Sequence, residues 1–400
     1  RKSYIEKNPD IIQGFTNGFG ICLGQRCGAK DQAGMRKSVA ASAALCVVFT
    51  VLVTAVCCLL AHPILGWMRT PGDIYQDAYD YMFVVLLGTG ATVFYNMISN
   101  MLRALGDSRT PLYFLIASSL LNVALDVVFI VPLGMGVAGA AWATVLSQLL
   151  SALGCLWAGL RKYEVLRIGA GDFSGFGRTA ASHLRVGFPM AFQMSVMCIG
   201  QLAMQAAVNA LGSAAVAGYT AATKADQVSV LVNNAMGMAI SGYVAQNYGA
   251  GKQERIRQGV RACLIQTETL NVLMCVGILL LRRQIVALFV TGASEEIIAY
   301  SNGYLNGVAP FYVLLGLLLT YRTAVQSMQN TAAPFAACMI ELVMRIGSTV
   351  LLTRAFGYFG VCIASPLAWA GACCLLIPVY YRMMRAQGTR RTQTAGALRI

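Results

Sequence analysis

One long pattern occurs twice in this apolar chain, and that duplication restricts its folding more than any single motif. Gln25-Arg26-Cys27-Gly28-Ala29-Lys30 near the start is matched by Gln246-Asn247-Tyr248-Gly249-Ala250-Gly251-Lys252. Leu105-Gly106-Asp107-Ser108-Arg109-Thr110-Pro111 is matched by Met328-Gln329-Asn330-Thr331-Ala332-Ala333-Pro334. Gly136-Val137 and Gly360-Val361 follow in the same order. Six apolar stretches separate each landmark from its copy. An even number sets both copies on the same side of a membrane, so the pattern predicts two equivalent helical lobes, as in two-lobed transporters.

Composition says which solvent those lobes meet. Of 400 residues, 57% are hydrophobic and 12% are charged, and the mean hydropathy is +0.63. A soluble domain averages about 25% charged residues, so most of this chain is expected to face lipid. Ten stretches are long enough to cross a bilayer: 38–61, 74–102, 112–131, 137–160, 181–211, 214–245, 256–281, 300–327, 335–353 and 361–383. An eleventh, 11–23, reads as the inner end of a span. The expected fold is an all-α membrane protein of two pseudo-symmetric six-helix bundles, the first lacking its opening helix. Expected bounds are 1–160 for the first bundle, 161–180 for a basic, Gly-rich cytoplasmic linker, 181–385 for the second bundle and 386–400 for a cytoplasmic tail. The sequence opens at Arg1 with a polar stretch, and a further span is expected upstream.

The net charge of +14 does not point to nucleic acid. Of the 30 Lys and Arg, 20 fall in segments read as cytoplasmic and 4 in external ones, which is the positive-inside asymmetry of a membrane protein. The 13 cysteines are scattered, with pairs at Cys57-Cys58 and Cys373-Cys374 and no ligand spacing. With only His62 and His183, a histidine zinc site has no basis. No G-x-x-x-x-G-K-[ST] loop is present, so ATP hydrolysis is not expected, and no cofactor is needed beyond Na⁺ or H⁺. An intramembrane enzyme would need convergent catalytic groups that this sequence does not offer.

Ionisable residues inside a membrane are expensive and mark function by default. Of 16 acids, only Asp126, Asp226, Glu268 and Glu341 lie well within apolar spans. Asn122 precedes Asp126 by one helical turn, so their side chains share a face. Thr144 lies at a similar depth on the next span if the two form a hairpin. Carboxylate, amide and hydroxyl oxygens are the hard donors Na⁺ prefers, and a partly desolvated Asp could instead bind a proton. The bland alternative is a hydrogen bond that pins neighbouring helices. Glu341 and Arg345, also four apart, read either as a neutralised lock or as a second-lobe switch. Asp226, in Lys224-Ala225-Asp226-Gln227, is read as an interfacial residue or part of that switch. Glu268 reads as a cleft-facing acid or a tolerated polar face turned towards neighbouring helices. Gln193, Gln201 and Gln205 on one span, with Met194, Met197 and Met204, and Phe94, Tyr95, Asn96 and Asn100 on another, suit a broad pocket for flat cations, the alternative being that these aromatic and Met stripes simply pack between helices. Gly134, Gly136 and Gly139 are expected to allow close helix approach.

Several runs together resemble the multidrug and toxic compound extrusion (MATE) transporters. They are Asn96–Pro111, Asn122-Val123-Ala124-Leu125-Asp126, Gly134–Ala141, Gly187-Phe188-Pro189-Met190, Lys224–Gln227 and Gln246–Gly251. The resemblance runs from about Gly14 to about Arg385. It implies twelve helices in two bundles in the bacterial plasma membrane, acting as a monomer among lipids. It further implies efflux of organic cations driven by Na⁺ or H⁺ entry, with Asn122, Asp126 and Thr144 matching the first-lobe cation site. That site also uses an Asp on the first helix, which this sequence does not contain. A rival within the wider superfamily is a flippase for lipid-linked oligosaccharide or peptidoglycan precursors. It would favour a cationic cavity, and only Lys224, Arg322 and Arg345 lie within apolar spans.

Overall fold

The computed structural model describes residues 8–67, 75–289 and 294–397. Arg1–Lys7, the expected span start Ile74 and the tail residues 398–400 lie outside the described residues. Among those described there are thirteen α-helices and no strand. They are α1 Asn8–Gly28, α2 Gln32–Trp67, α3 Tyr75–Leu87, α4 Thr89–Ala104, α5 Arg109–Ile130, α6 Gly136–Lys162 and α7 Phe176–Asn209. Then come α8 Ser213–Gly249, α9 Gln253–Phe289, α10 Glu295–Val308, α11 Tyr312–Ser327, α12 Ala332–Phe356 and α13 Tyr358–Ala397. Ten described spans are long and apolar enough to cross a membrane, and they match the ten read from hydropathy one for one.

Two of those spans are broken, at equivalent places in the two repeats. Gly88 separates α3 from α4, and a 3₁₀ turn at Ala309–Phe311, carrying Pro310, separates α10 from α11. Different residues do the same work. Gly88 leaves no room for a Cβ beside Val145 on α6, whereas Pro310 removes a backbone donor. Side chains turned outward are apolar, as Leu120 and Val123 on α5 and Leu273 and Leu280 on α9 illustrate. A water-soluble protein rarely exposes such continuous apolar faces, and lipid is the solvent they suit.

The chain forms two compact units, 1–191 and 192–400, which meet within α7. The segment expected to be a linker packs firmly within the first unit. Val165 and Leu166 are buried in a 3₁₀ turn, and Arg36 of α2 makes an ion pair with Asp172 at 3.1 Å.

The duplication holds at the level of single hydrogen bonds. At the first landmark, Lys30 takes a left-handed φ of 57° and the Asp31 amide donates to the Arg26 carbonyl at 3.1 Å. At its copy, Gly251 has φ 66° and the Lys252 amide donates to the Asn247 carbonyl at 2.8 Å. The second landmark repeats this. Gly106 has φ 92° with Asp107 N–H to Leu102 O at 2.8 Å, and Gln329 has φ 65° with Asn330 N–H to Val325 O at 3.3 Å. These are left-handed helix ends that satisfy terminal carbonyls. Asp107 Oδ1 then caps α5 through the Thr110 amide at 3.0 Å, as Asn330 Oδ1 caps α12 through the Ala333 amide at 3.1 Å. The caps differ in charge. Burial works against ionisation of Asp107, yet Lys162 at 2.8 Å and the Thr110 bonds hold it at about 2. Lys30 and Gln329 carry side chains where glycine is preferred. Lys30→Gly and Gln329→Gly are each expected to stabilise the fold by about 0.5–1 kcal/mol, read as a raised thermal midpoint. A lowered midpoint would show that those side chains hold the turns.

Close helix approach occurs where the sequence reading did not seek it. A Cβ on Gly18 of α1 would lie 2.6 Å from the Gly187 Cα of α7, and one on Gly14 would lie 2.7 Å from the Ala191 Cα. Gly14-x-x-x-Gly18 meets Gly187-x-x-x-Ala191 backbone to backbone, the small-residue crossing of membrane helices. Gly18→Val is expected to lose at least about 1–3 kcal/mol, because the clash is with main chain and no rotamer relieves it. Unchanged yield and thermal midpoint of the purified variant would refute that crossing. Of the three glycines expected to serve this purpose, only Gly139 is tight, its Cβ position lying 3.1 Å from Phe129 Cβ. Gly134 (φ 61°) and Gly136 (φ 56°) have nothing within 4 Å and instead form the left-handed turn between α5 and α6.

Candidate functional site

In the first unit, α5 and α6 form the expected hairpin. Its register is fixed by Ser118 Oγ donating to the Ser147 carbonyl at 3.0 Å and Ser151 Oγ donating to the Phe114 carbonyl at 2.9 Å. That register brings Asn122 to Thr144, with Asn122 Nδ2 donating to Thr144 Oγ1 at 3.4 Å. Thr144 Oγ1 in turn donates to its own-turn carbonyl, Ala140 O, at 3.0 Å. Asp126 is half-buried one turn from Asn122. Its Oδ1 is shielded and finds no hydrogen-bond partner among the described residues. Pro111 is the one fully buried residue of α5, so these polar groups are not there to fill a core. A buried polar atom without a partner is costly, and a small cation or a proton would relieve that cost. His183 is fully buried. Its Nε2 lies 2.7 Å from Ser38 Oγ and its Nδ1 lies 2.8 Å from the Thr179 carbonyl, so both ring nitrogens are engaged.

In the second unit the pair Glu341–Arg345 gains a third member. Glu341 Oε1 accepts from Arg345 Nη2 at 2.7 Å, and Oε2 accepts from Arg322 Nη2 of α11 at 2.5 Å. All three side chains are buried. The i,i+4 spacing announced Arg345, but nothing local in the sequence announces Arg322, which arrives from another helix. Asp226 is half-buried on α8 in the second unit. Its Oδ2 accepts from Tyr304 OH of α10 at 3.4 Å, and its Oδ1 has no hydrogen-bond partner among the described residues.

Glu268 of α9 turns into the bundle. Asn271 Nδ2 donates to Glu268 Oε2 at 3.3 Å and to the Tyr312 carbonyl at 3.0 Å, while Asn233 and Asn271 exchange amide bonds at 2.8 and 3.2 Å. Glycine at 316 makes the space. A Cβ there would sit 2.6 Å from Glu268 Oε1 and would also collide with Asn271 Nδ2.

The expected substrate residues divide between the units. In the first, Tyr95 OH donates to the Pro111 carbonyl at 3.4 Å and Asn96 Nδ2 to the Thr92 carbonyl at 2.9 Å. Asn100 is buried and donates to Thr16 Oγ1 at 3.1 Å. In the second, Gln201 is exposed and Gln205 donates to Asn209 Oδ1 at 2.9 Å. Gln193 is instead a packing residue, 4% exposed, accepting from Gln326 Nε2 at 2.8 Å. Met204 is likewise in the core, and Met197 borders the Glu341–Arg345 cluster.

Apolar spans in two repeated units, each with polar groups set among membrane helices, define a multi-pass membrane transporter of the two-lobed kind. The MatE family profile matches residues 11–128 and 189–351. The chain belongs to the MatE family, a family of transporters and not of enzymes. It is 28% identical over 376 residues to the probable multidrug resistance protein YpnP of Bacillus subtilis (strain 168), covering 94% of this chain and 83% of that one. It is 27% identical over 337 residues to the probable multidrug resistance protein NorM of Thermotoga maritima, covering 83% and 72%. The fold matches an outward-facing multidrug resistance MATE transporter of the MOP superfamily with a TM-score of 0.90 at 22% identity, covering 96% of this chain and 86% of that one.

Proposed function

We propose that this chain exports organic cations, drugs among them, across a bacterial plasma membrane by alternating access, driven by Na⁺ or H⁺ entering at Asp126, Asn122 and Thr144. The observation that carries the reading is the meeting of Asn122 with Thr144, one turn from a shielded carboxylate oxygen of Asp126 that has no hydrogen-bond partner among the described residues. The names borne by the Bacillus and Thermotoga relatives support multidrug substrates. A ligand shifts the balance of two states only by binding them unequally. Here the coupling ion favours one state of the transporter and the organic cation the other. Tyr95 and Asn96 within the first unit, and Gln201 and Gln205 within the second, each supply aromatic or amide contacts to flat cations, while Asp226 and Glu268 serve as second-lobe groups that respond to protonation.

The test is transport into and out of proteoliposomes carrying the purified chain. Ethidium efflux is followed while a Na⁺ gradient or a pH gradient is imposed separately. One of the two gradients is expected to accelerate efflux above that of protein-free vesicles. Indifference to both would refute ion coupling.

A further inference from the structure

Helix α6 has two unlike faces. Ser147, Ser151, Cys155 and Gly159, small and four apart, are buried. Leu150, Leu153 and Trp157, spaced three and four apart, are exposed, Trp157 by 56%, and Arg161 continues that face one turn further. The Arg161 guanidinium carbon lies 4.0 Å from the Trp157 ring centroid. A helical side chain leans back towards the N-terminus, so this guanidinium lies along the apolar face instead of reaching past the helix end. Arg167, also exposed, returns to the same turn and donates from Nε to the Leu160 carbonyl at 3.0 Å. Neighbouring charges are already matched: Lys162 Nζ holds Asp107 at 2.8 Å, and Arg36 holds Asp172 at 3.1 Å. Arg161 and Arg167 form no ion pair among the described residues. Glu164, exposed on the 3₁₀ turn between them, is the nearest acid in sequence to both. An apolar stripe that ends in an indole and two unmatched guanidinium groups has the profile of a lipid, with its chains beside the stripe and its phosphate at the arginines.

We propose that this end of α6 binds an anionic phospholipid of the phosphatidylglycerol type, its phosphate on Arg161 and Arg167 and an acyl chain along Trp157, Leu153 and Leu150. A zwitterionic headgroup carries its own cation and gains less from two arginines. The lipid fastens α6 to the membrane surface where the chain turns from α6 into the segment packed within the first unit. Glu164 is the competing counter-charge and weakens the attraction. The site lies wholly within the first unit and depends on neither the coupling ion nor the exported compound.

Tryptophan quenching tests it, with the purified full chain in vesicles of one fixed mixture of phosphatidylglycerol and phosphatidylcholine. Bromine is carried on the chains of one lipid or of the other. The signal of Trp157 is the quenching of the wild type less that of Trp157→Phe. Phosphatidylglycerol is expected to quench Trp157 more effectively, mole for mole, than phosphatidylcholine. Each arginine is expected to contribute up to about fivefold in relative affinity. The preference therefore falls in Arg161→Gln and in Arg167→Gln and is lost in the double variant. Glu164→Gln is expected to raise it. Both arginines are exposed, so these variants are expected to fold. Equal quenching of the wild type by the two lipids would overturn the proposal, as would a preference that survives in the double variant. Loss of the preference on adding inorganic phosphate at constant ionic strength would identify a soluble phosphate as the occupant and overturn it too.

Discussion

Asp126→Asn is expected to abolish ion-driven efflux while leaving the chain folded. The substitution keeps the shape and removes the charge. Little of the fold depends on that charge: Asp126 is half-buried, its Oδ1 has no hydrogen-bond partner among the described residues, and α5 carries one fully buried residue. What disappears is the negative charge that offsets Na⁺ and the group that can carry a proton; an amide keeps an oxygen donor but supplies neither. Asn122→Ala and Thr144→Ala should weaken coupling less, because each removes a neutral donor and leaves the carboxylate. The measurement is ethidium efflux under the driving gradient, with the thermal midpoint recorded on the same preparation. Full efflux by Asp126→Asn would remove Asp126 from the coupling mechanism. Loss of efflux together with loss of folding would assign it a structural role.

Glu341→Ala is expected to do the reverse and damage the fold first. Removing this carboxylate strands two buried guanidinium groups at once. Breaking a buried ion pair from one side costs about 3–5 kcal/mol, and here both partners lose the same counter-ion. The expected result is a marked fall in folded yield and thermal midpoint, with transport lost as a consequence. Arg345→Gln and Arg322→Gln should be milder, because each leaves one matched pair. A Glu341→Ala protein as stable as the wild type would show that the cluster does not hold the second unit together.

These two acids looked alike along the chain: each is a single carboxylate in an apolar span with a polar residue four positions away. The structure separates them by what surrounds them. Asn122 of Asn122-x-x-x-Asp126 meets Thr144 of the adjoining helix, and that arrangement was legible because α5 and α6 are joined by a short turn. Glu341 and Arg345 were legible as a pair, yet Arg322 joins them from α11, across a helix end capped by Asn330. Glu268 was expected either in a cleft or on a polar face turned towards neighbouring helices. Its carboxylate lies against α11, where Gly316 leaves a gap, and Asn271 offers a donor. Gln193 was expected to line a substrate pocket and instead bonds to Gln326, since its stretch of α7 packs against α11 and α12.

Taken alone, the sequence determined the apolar spans, their repetition, the helix ends at both landmarks and the shared face of Asn122 and Asp126. Hydropathy, helical period and turn chemistry are local, and a few neighbouring residues suffice to set them. Tertiary structure decided the Gly18–Gly187 crossing, the second arginine on Glu341 and the destination of Glu268. Each depends on which side chain of one helix meets which gap in another, and that match is fixed only when the helices pack.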